Sequence, residues 1–262
     1  MTLTPFKIFR ILLLLTILAA TAFYTKAQRL SSTGWLEPLN VVIYPINADG
    51  KRSTSQYIDQ LKESHFQAID RFTAKQSKKY DILTKKPTIT RLGKSVTTLP
   101  PVAPAPGDST ISNIFWSMKF RFWAWQETPD ELSNQHRARM FVLYHSPTGN
   151  GQPLDHSYGL NKGLLGLVNA YASNKQSAQN NIVITHELLH TVGATDKYGP
   201  DGHPLFPDGY ASSSGQQYPQ RHAEIMAGSI PLSEGRSRMA DSLRQCVVGK
   251  KTAEEIKWLS NI

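Results

Sequence analysis

Five residues in one short stretch have the types and the spacing that a catalytic zinc site needs. His186, Glu187 and His190 form a His-Glu-x-x-His motif, and Gly193 and Asp196 follow it. Residues four apart lie on the same face of a helix, so the two imidazoles can reach one metal ion. Two imidazoles and one carboxylate are acceptable zinc ligands, and three protein ligands leave one position open for water. The motif therefore predicts one catalytic Zn²⁺ ion held by His186, His190 and Asp196, with Glu187 beside the water as general base.

A helix has to position these side chains. Asn180 or Asn181 is its predicted N-cap, and apolar residues between 182 and 192 supply a face toward the core. The helix is predicted to end at Gly193, because glycine tolerates the left-handed conformation that terminates helices. The sharp turn that follows would bring Asp196 back toward the histidines as the third ligand.

Other polar residues leave alternatives open for the ligand set. Three residues downstream of Asp196 could instead supply the third ligand: His203, His222 and Glu224. His145 and His156 are predicted to be structural or close to the substrate rather than metal ligands.

The pattern from residue 186 onward resembles that of the metzincin zinc metallopeptidases, in which His-Glu-x-x-His-x-x-Gly-x-x-His or Asp is followed by a methionine turn. The form with Asp is similar to that of the small secreted snapalysin-type peptidases. Met226 matches the methionine, which in that family forms an apolar floor beneath the zinc ligands. The resemblance implies a zinc-dependent endopeptidase in which Glu187 assists the attack of zinc-bound water on a peptide or protein substrate.

One position departs from the metzincin pattern. Several metzincins have a tyrosine two residues after the methionine, where this chain has Gly228. The oxyanion-stabilising group is therefore open, with Tyr198, Tyr210 and Tyr218 as candidates. The departure also keeps two other functions open, an exported zinc-binding protein without turnover and a zinc-dependent hydrolase of a non-peptide amide in the envelope. Intact Glu187 and the open coordination position favour the peptidase.

The N-terminal segment predicts export. Lys7 and Arg10 precede an apolar run over residues 11–23, and small residues typical of a signal peptidase site follow. Residues 1–27 are therefore a signal peptide or an uncleaved membrane anchor, with residues 8–24 as the tether in the second case. Residues 28–262 form the predicted catalytic domain. Either alternative places the site outside the cytoplasm, in the periplasm or the extracellular space.

Composition narrows the class of protein further. Hydrophobic residues make up 40% of the chain and charged residues 19%, which is typical of a globular protein and excludes a disordered or polytopic membrane protein. The formal net charge is +9, which in an exported protein favours contact with an anionic envelope or acidic substrates over nucleic acid. Cys246 is the only cysteine, so no disulfide can form within the chain.

The remaining periodicity predicts an α/β (α+β) fold. A long helix is predicted over residues 55–80, an extended proline-rich loop over 99–107, and a segment at 111–126 that starts as a helix and finishes as a strand. Strands are predicted at residues 40–45, 87–98, 138–145 and 163–172. This order matches a metzincin N-terminal subdomain, a mixed sheet plus helices with the zinc helix at the cleft.

The resemblance makes the strand at residues 163–172 the sheet edge on which an extended peptide adds by main-chain hydrogen bonds. Residues 196–226 are predicted to be loop, without the regular oxygen-ligand spacing of a calcium site. Helices are predicted at residues 233–244 and 252–259, the second with Thr252 and Glu255 as a capping box. The C-terminal subdomain is therefore expected to be loop-rich and helical.

Overall fold

A five-stranded sheet organises the chain. The computed structural model describes residues 4–105, 107–129, 137–147, 154–161, 163–214 and 216–259. The sheet contains β1 (Leu39–Asn47), β2 (Thr88–Leu92), β3 (Arg137–His145), β4 (Tyr158–Leu160) and β5 (Leu165–Tyr171) in the order β2-β1-β3-β5-β4. Neighbouring strands are parallel except for β4, which runs antiparallel to β5. The four predicted strands are thereby confirmed, and the fold is mixed α/β.

Helices cover both faces of the sheet. Those of the described residues are α1 (Pro5–Thr33), α2 (Arg52–Asp59), α3 (Gln67–Ser77), α4 (Thr110–Glu127), α5 (Ser177–Thr191) and α6 (Lys250–Glu255). Alternate residues of a strand face opposite sides of the sheet. Val41 and Ile43 of β1 accordingly belong to the core cluster shared with α2, α3 and α5, whereas Val42 and Tyr44 belong to the cluster shared with α4. Strands buried on both faces read as continuous apolar runs, which explains why sequence located them well.

The predicted long helix over residues 55–80 is wrong, because α2 and α3 are separate helices. Neither glycine nor proline marks the break. Leu61 and Phe66 are both buried between the two helices, so the chain turns to place both side chains in the core. The carbonyl oxygen of His65, which lies in this turn, accepts a hydrogen bond from Asn181 Nδ2 at 2.8 Å. Tertiary contacts therefore replace the helical hydrogen bonds that the break removes.

The predicted strand at the end of residues 111–126 is also wrong, since α4 is helical throughout. Ser109 caps its first turn by accepting a hydrogen bond from Ser112 N. Trp116, Phe120 and Trp123 lie on one side of the helix and bury against the sheet. Helical spacing of these aromatic rings outweighs the short alternating stretch that resembled a strand.

The C-terminal part is loop-rich as expected but contains little helix. The helix predicted at residues 233–244 is wrong: β7 (Ser229–Ser233) and β8 (Arg236–Met239) form a hairpin whose turn contains Gly235 at a φ of 63°. A two-stranded sheet of β6 (Ala223–Glu224) and β9 (Cys246–Val247) lies nearby in sequence. The helix predicted at residues 252–259 is α6 and is shorter. Its Thr252 and Glu255 form no capping box, because both side chains bond to residues outside the helix.

At the N-terminus, α1 precedes the sheet and exposes apolar side chains such as Phe6, Leu14 and Phe23. Among the helices of the described residues, none combines the length and the apolar character that crossing a membrane requires.

Candidate metal centre

Helix α5 carries the His-Glu-x-x-His motif and is fixed to the sheet at its first turn. Its N-cap is Gln176, so the predicted capping by Asn180 or Asn181 is wrong. Asn180 lies one turn inside the helix, where Oδ1 accepts a hydrogen bond from Tyr171 N at 3.2 Å and Nδ2 donates one to Tyr171 O at 2.8 Å. These bonds lock α5 onto the end of β5, and with it the position of the motif one to two turns later.

Three ligand atoms converge at the C-terminal end of α5. His186 Nε2 and His190 Nε2 are 3.0 Å apart, and Asp196 Oδ1 lies 3.0 Å from the first and 3.1 Å from the second. Gly193, at a φ of 114°, provides the turn that returns the chain toward the imidazoles. Sequence thus predicted the grouping of the two histidines with Asp196.

The hydrogen bonds of the other ring nitrogens define what these atoms offer. His186 Nδ1 lies 3.0 Å from the carbonyl oxygen of Ile225, and His190 Nδ1 lies 2.8 Å from that of Ala194. A carbonyl oxygen only accepts, so each Nδ1 carries the proton, and in a neutral imidazole Nε2 then presents a lone pair. When both imidazoles are neutral, two lone pairs and a carboxylate oxygen face one another at about 3 Å, and a cation bound among them, a metal ion or a proton, would relieve their repulsion.

This donor set fits a zinc ion. Tetrahedral bonds of about 2.0–2.1 Å place neighbouring ligand atoms roughly 3.3 Å apart, close to the observed 3.0–3.1 Å. The pKa values of His186 and Asp196 also indicate that this position favours positive charge. Burial disfavours the charged form of His186, but the hydrogen bond with Asp196 and the charge of Glu187 outweigh it and raise the pKa of His186 to about 9. Burial likewise opposes ionisation of Asp196, but both imidazoles together hold its pKa well below the usual range.

Glu187 lies beside this triangle. One of its carboxylate oxygens and one ring nitrogen from each of His186 and His190 lie within 4.8 Å of one another. The side chain is buried, and Oε2 has no hydrogen-bond partner among the described residues. Burial is the main cause that raises the pKa of Glu187, opposed by the neighbouring imidazoles. A buried carboxylate oxygen without a partner is costly to keep, which is typical of a group that meets its partner only when substrate or water binds.

The loop that carries Asp196 is held on both sides by a buried ion pair. Lys197 Nζ donates to both carboxylate oxygens of Glu255 at 2.8 and 3.0 Å, and Glu255 also accepts from Thr195 N and Thr195 Oγ1. Lys197 N donates to the carbonyl oxygen of Met226 at 3.0 Å. Asp196 is therefore fixed between two anchored residues, although its own side chain is partly exposed. Nothing in the sequence indicated Glu255 as its support.

Met226 lies in the same assembly. It is fully buried and directly follows Ile225, the residue whose carbonyl oxygen orients His186. Glu224 anchors this turn, since its carboxylate accepts from Met226 N at 2.6 Å, Gly249 N at 3.0 Å and Thr252 Oγ1 at 2.7 Å. Glu224 is thus a buried structural carboxylate, and the alternative that it serves as the third ligand is wrong.

The other alternative ligands lie apart from the imidazoles. His203 Nδ1 bonds with Ser237 Oγ, and His222 is exposed beside a different cavity. His145 Nε2 bonds with Asn169 Oδ1. His156 is closer to the centre, because it lines the same cavity as His186 and Glu187.

Of the three tyrosines considered for oxyanion stabilisation, Tyr198 is the one at the centre. Its ring stacks on His186 with centroids 6.2 Å apart, and it lines the cavity with Glu187. Burial, together with the charge of Asp196, raises the pKa of Tyr198 well above its usual range, so the hydroxyl keeps its proton and can donate. Tyr210 instead donates to Tyr218 at 2.9 Å, away from this cavity.

The edge of the sheet borders the centre, but the edge strand differs from the predicted one. β5 is paired on both sides, and the edge is the short β4. Gly159 of β4 lies so close to α5 that a Cβ there would come within 2.4 Å of both the Glu187 carbonyl oxygen and His190 Cβ. The absence of a side chain at Gly159 therefore lets the edge strand lie directly against the zinc motif.

Two cavities meet near this edge. One of about 250 Å³ contains His186, Glu187, Tyr198 and Gly228 in its lining. A larger one of about 550 Å³ lies under the proline-rich loop at residues 99–105, and both cavities are lined by Asp155 and His156.

Comparison with known protein families gives no match, and comparison with curated proteins gives none either. The site is therefore interpreted from its own geometry.

Proposed function

We propose that the protein is a zinc-dependent endopeptidase of metzincin type, in which His186, His190 and Asp196 hold the ion and Glu187 is the general base. The observation that carries this proposal is the buried, unpartnered Oε2 of Glu187 beside three converging donor atoms. A purely structural metal site needs four protein ligands and no free base, whereas three ligands and a free carboxylate suit hydrolysis.

A zinc ion bound here would polarise the scissile carbonyl and lower the pKa of a water molecule. The chain's own residues supply the remaining steps. Glu187 takes the proton from the attacking water and delivers it to the leaving amine, first as a base and then as an acid. The Nδ1 hydrogen bonds to Ile225 and Ala194 hold both imidazoles in the tautomer that binds metal. Tyr198, which keeps its proton and lines the same cavity as Glu187, is our candidate donor to the negative charge that develops on the substrate oxygen.

An extended peptide is the substrate that this environment suits. β4 is the edge strand of the sheet among the described residues, and it lies against the helix segment that contains Glu187 and His190. Main-chain pairing with β4 would place a peptide bond beside Glu187 without strong selection of side chains. The export predicted from residues 1–27 would give the enzyme periplasmic or extracellular protein substrates.

The test is the activity of Glu187→Gln on a mixed peptide library, followed by mass spectrometry, with and without a chelator. Gln keeps the shape of Glu187 but accepts no proton, so we expect unchanged zinc content and a loss of turnover of at least about a thousandfold. Glu234→Gln, a matched change at an exposed residue, should cleave like the wild type. Undiminished cleavage by Glu187→Gln, or wild-type cleavage that survives complete removal of metal, would contradict the proposal.

A further inference from the structure

The outward face of α4 is apolar over its whole length. Buried residues of this helix face the sheet, and the opposite side exposes six large apolar side chains by 44–66%: Ile111, Ile114, Phe115, Met118, Phe122 and Trp125. At about 100° per residue these six fall within an arc of roughly 100°, so they form one continuous stripe, which we call the α4 stripe. Apolar residues on a helix normally face the core, and here the core-facing side is already filled by Trp116, Phe120 and Trp123.

The size of the α4 stripe separates it from ordinary surface. Large apolar side chains each offer about 150–250 Å², so the exposed fractions leave on the order of 600 Å² of contiguous apolar surface. This is at the upper limit of the patches found on soluble monomers, and such patches mark interaction sites.

The charges around the stripe indicate the occupant. Lys119 lies at one border of the stripe and Arg121 at the other, while the helix has no acidic residue before Glu127 at its end. Lys119 is exposed, and Arg121 Nη1 donates to the carbonyl oxygen of Ser117, which holds its stem along the helix. A narrow apolar stripe that contains tryptophan and phenylalanine and is bordered by cations is typical of a helix that lies in the interface of an anionic bilayer. The chain as a whole carries a net charge of +9, which attracts it to such a surface.

We propose that the α4 stripe binds an anionic membrane surface, with α4 parallel to the bilayer plane. The apolar side chains enter the boundary between headgroups and acyl chains, and the exposed ammonium of Lys119 contacts the lipid phosphates. α4 lies on the face of the sheet opposite α5. Membrane contact would therefore leave the metal centre facing away from the bilayer, open to a substrate. This proposal is independent of peptidase activity.

The deciding experiment reads the environment of single positions in the full chain. A nitrobenzoxadiazole label is attached to Phe122→Cys, and separately to Leu83→Cys, in protein whose only native cysteine, Cys246, is buried. Leu83 is an exposed leucine near the lysines at positions 75, 78, 79, 85 and 86, the strongest competing basic surface. With vesicles of phosphatidylglycerol and phosphatidylcholine we expect a blue shift and a gain in intensity at residue 122 and none at residue 83. With phosphatidylcholine alone we expect a weaker response at 122, because the charge attraction is absent.

A second measurement quantifies the same contact. Flotation of the full chain with the mixed vesicles compares the wild type with Phe115→Ser/Phe122→Ser and with the matched control Leu83→Ser. Because α1 is present in all three proteins, its contribution cancels. Removing two of six apolar groups should weaken partitioning by about tenfold or more, whereas the control should bind like the wild type. Unfolding midpoints verify that the variants fold.

Three results would overturn the proposal. The first is a label at residue 122 that stays in water while the protein binds the vesicles. The second is a shift at residue 83 without one at residue 122, which would assign binding to the lysine-rich surface. The third is a dimer in solution that Phe115→Ser/Phe122→Ser converts to a monomer, which would assign the α4 stripe to a second copy of the chain.

Discussion

Glu255→Ala tests whether a buried ion pair holds Asp196, the proposed third zinc ligand, in place. The Glu255 carboxylate accepts hydrogen bonds from Thr195 N at 2.9 Å, Thr195 Oγ1 at 2.8 Å and Lys197 Nζ at 2.8 and 3.0 Å. Thr195 and Lys197 are the two neighbours of Asp196. Removal of this carboxylate therefore releases both ends of the segment that presents Asp196 to the imidazoles.

The size of the effect follows from burial. The side chain of Lys197 is 6% exposed and that of Glu255 is 17% exposed, so the ammonium stays buried when its partner is removed. Breaking a buried pair on one side costs about 3–5 kcal/mol. The lower end applies here, because Thr195 O and Oγ1 still accept from Lys197 and Glu255 is partly solvated. Supports of this kind typically change metal affinity by about 10–100-fold, and we expect zinc affinity to fall within that range.

Urea unfolding in excess chelator measures the first effect, and competition with a chromophoric chelator measures zinc affinity. Glu254→Ala is the matched control, because Glu254 forms only a surface pair with Lys251 at 3.7 Å and should change stability by less than about 0.5 kcal/mol. Replacement of both partners, Lys197→Met/Glu255→Leu, should recover part of the lost stability. If Glu255→Ala behaves like Glu254→Ala in both assays, the ion pair does not position Asp196 and the reasoning is refuted.

The ion pair of Lys197 and Glu255 should also make the stability of the protein depend on pH. Burial opposes ionisation of Glu255, but the hydrogen bonds from Lys197 and Thr195 prevail and lower its pKa from the ordinary 4.5. A carboxyl with a lowered pKa in the folded state stabilises the protein above its unfolded pKa, and this stabilisation is lost as the pH falls through the folded pKa. The stability difference between wild type and Glu255→Ala should therefore be complete at neutral pH and shrink on acidification below about pH 4.5. A difference that grows on acidification would contradict the assignment.

Three further predictions concern the surroundings of the centre. Gly159→Ala forces β4 away from α5, because the new Cβ would lie 2.4 Å from backbone and side-chain atoms of α5. Urea unfolding should therefore reveal a loss of about 1–3 kcal/mol in the free energy of unfolding. No loss would mean that the strand does not approach the helix so closely. The Glu224 carboxylate accepts three hydrogen bonds, and Glu224→Gln turns an amide N–H toward at least one of the three donors. The free energy of unfolding in urea should therefore fall by about 1–3 kcal/mol. An unchanged midpoint would contradict the hydrogen-bond assignment. Zinc at a hundred times its Kd should add about 2.7 kcal/mol and raise Tm by roughly 5–10 °C in calorimetry. Asp196→Ala should abolish that rise, and an equal rise in the variant would exclude Asp196 as a ligand.

Sequence predicted the grouping of His186, His190 and Asp196 because each of its determinants is local. The spacing of His186 and His190 is set by the helix, and Gly193 permits the φ of 114° that ends it and turns the chain. The strands were equally accessible, since β1, β3 and β5 are nearly continuous apolar runs. In both cases the pattern and the structure depend on residues within a few positions of one another.

Three of the wrong predictions share a different cause, which is the dominance of distant contacts. The break between α2 and α3 depends on core burial of Leu61 and Phe66, and no glycine or proline marks it. Asn180 looks like an N-cap, yet its amide is used to bind the backbone of Tyr171 in β5. Thr252 and Glu255 have capping-box spacing, but the carboxylates and donors that they bond with lie far away in sequence. A side chain whose position in the sequence suits a helix cap can also bond to a distant residue. Which of the two hydrogen bonds it forms is known only once the distant residue has been located in the fold.

The least predictable part of the centre is its backbone. The tautomers of His186 and His190 are set by the carbonyl oxygens of Ile225 and Ala194, groups that every residue possesses and that leave no trace in a motif. Substitutions at Ile225 or Ala194 that preserve the main chain should therefore have little effect on the donor set, whereas Gly193→Ala should disturb it. A residue with a Cβ at a φ of 114° is strained, and Ala194, whose carbonyl orients His190, comes next in the chain. The His-Glu-x-x-His motif thus specifies the two imidazoles, while the turn at Gly193 and the turn at Met226 supply the carbonyl oxygens that orient them.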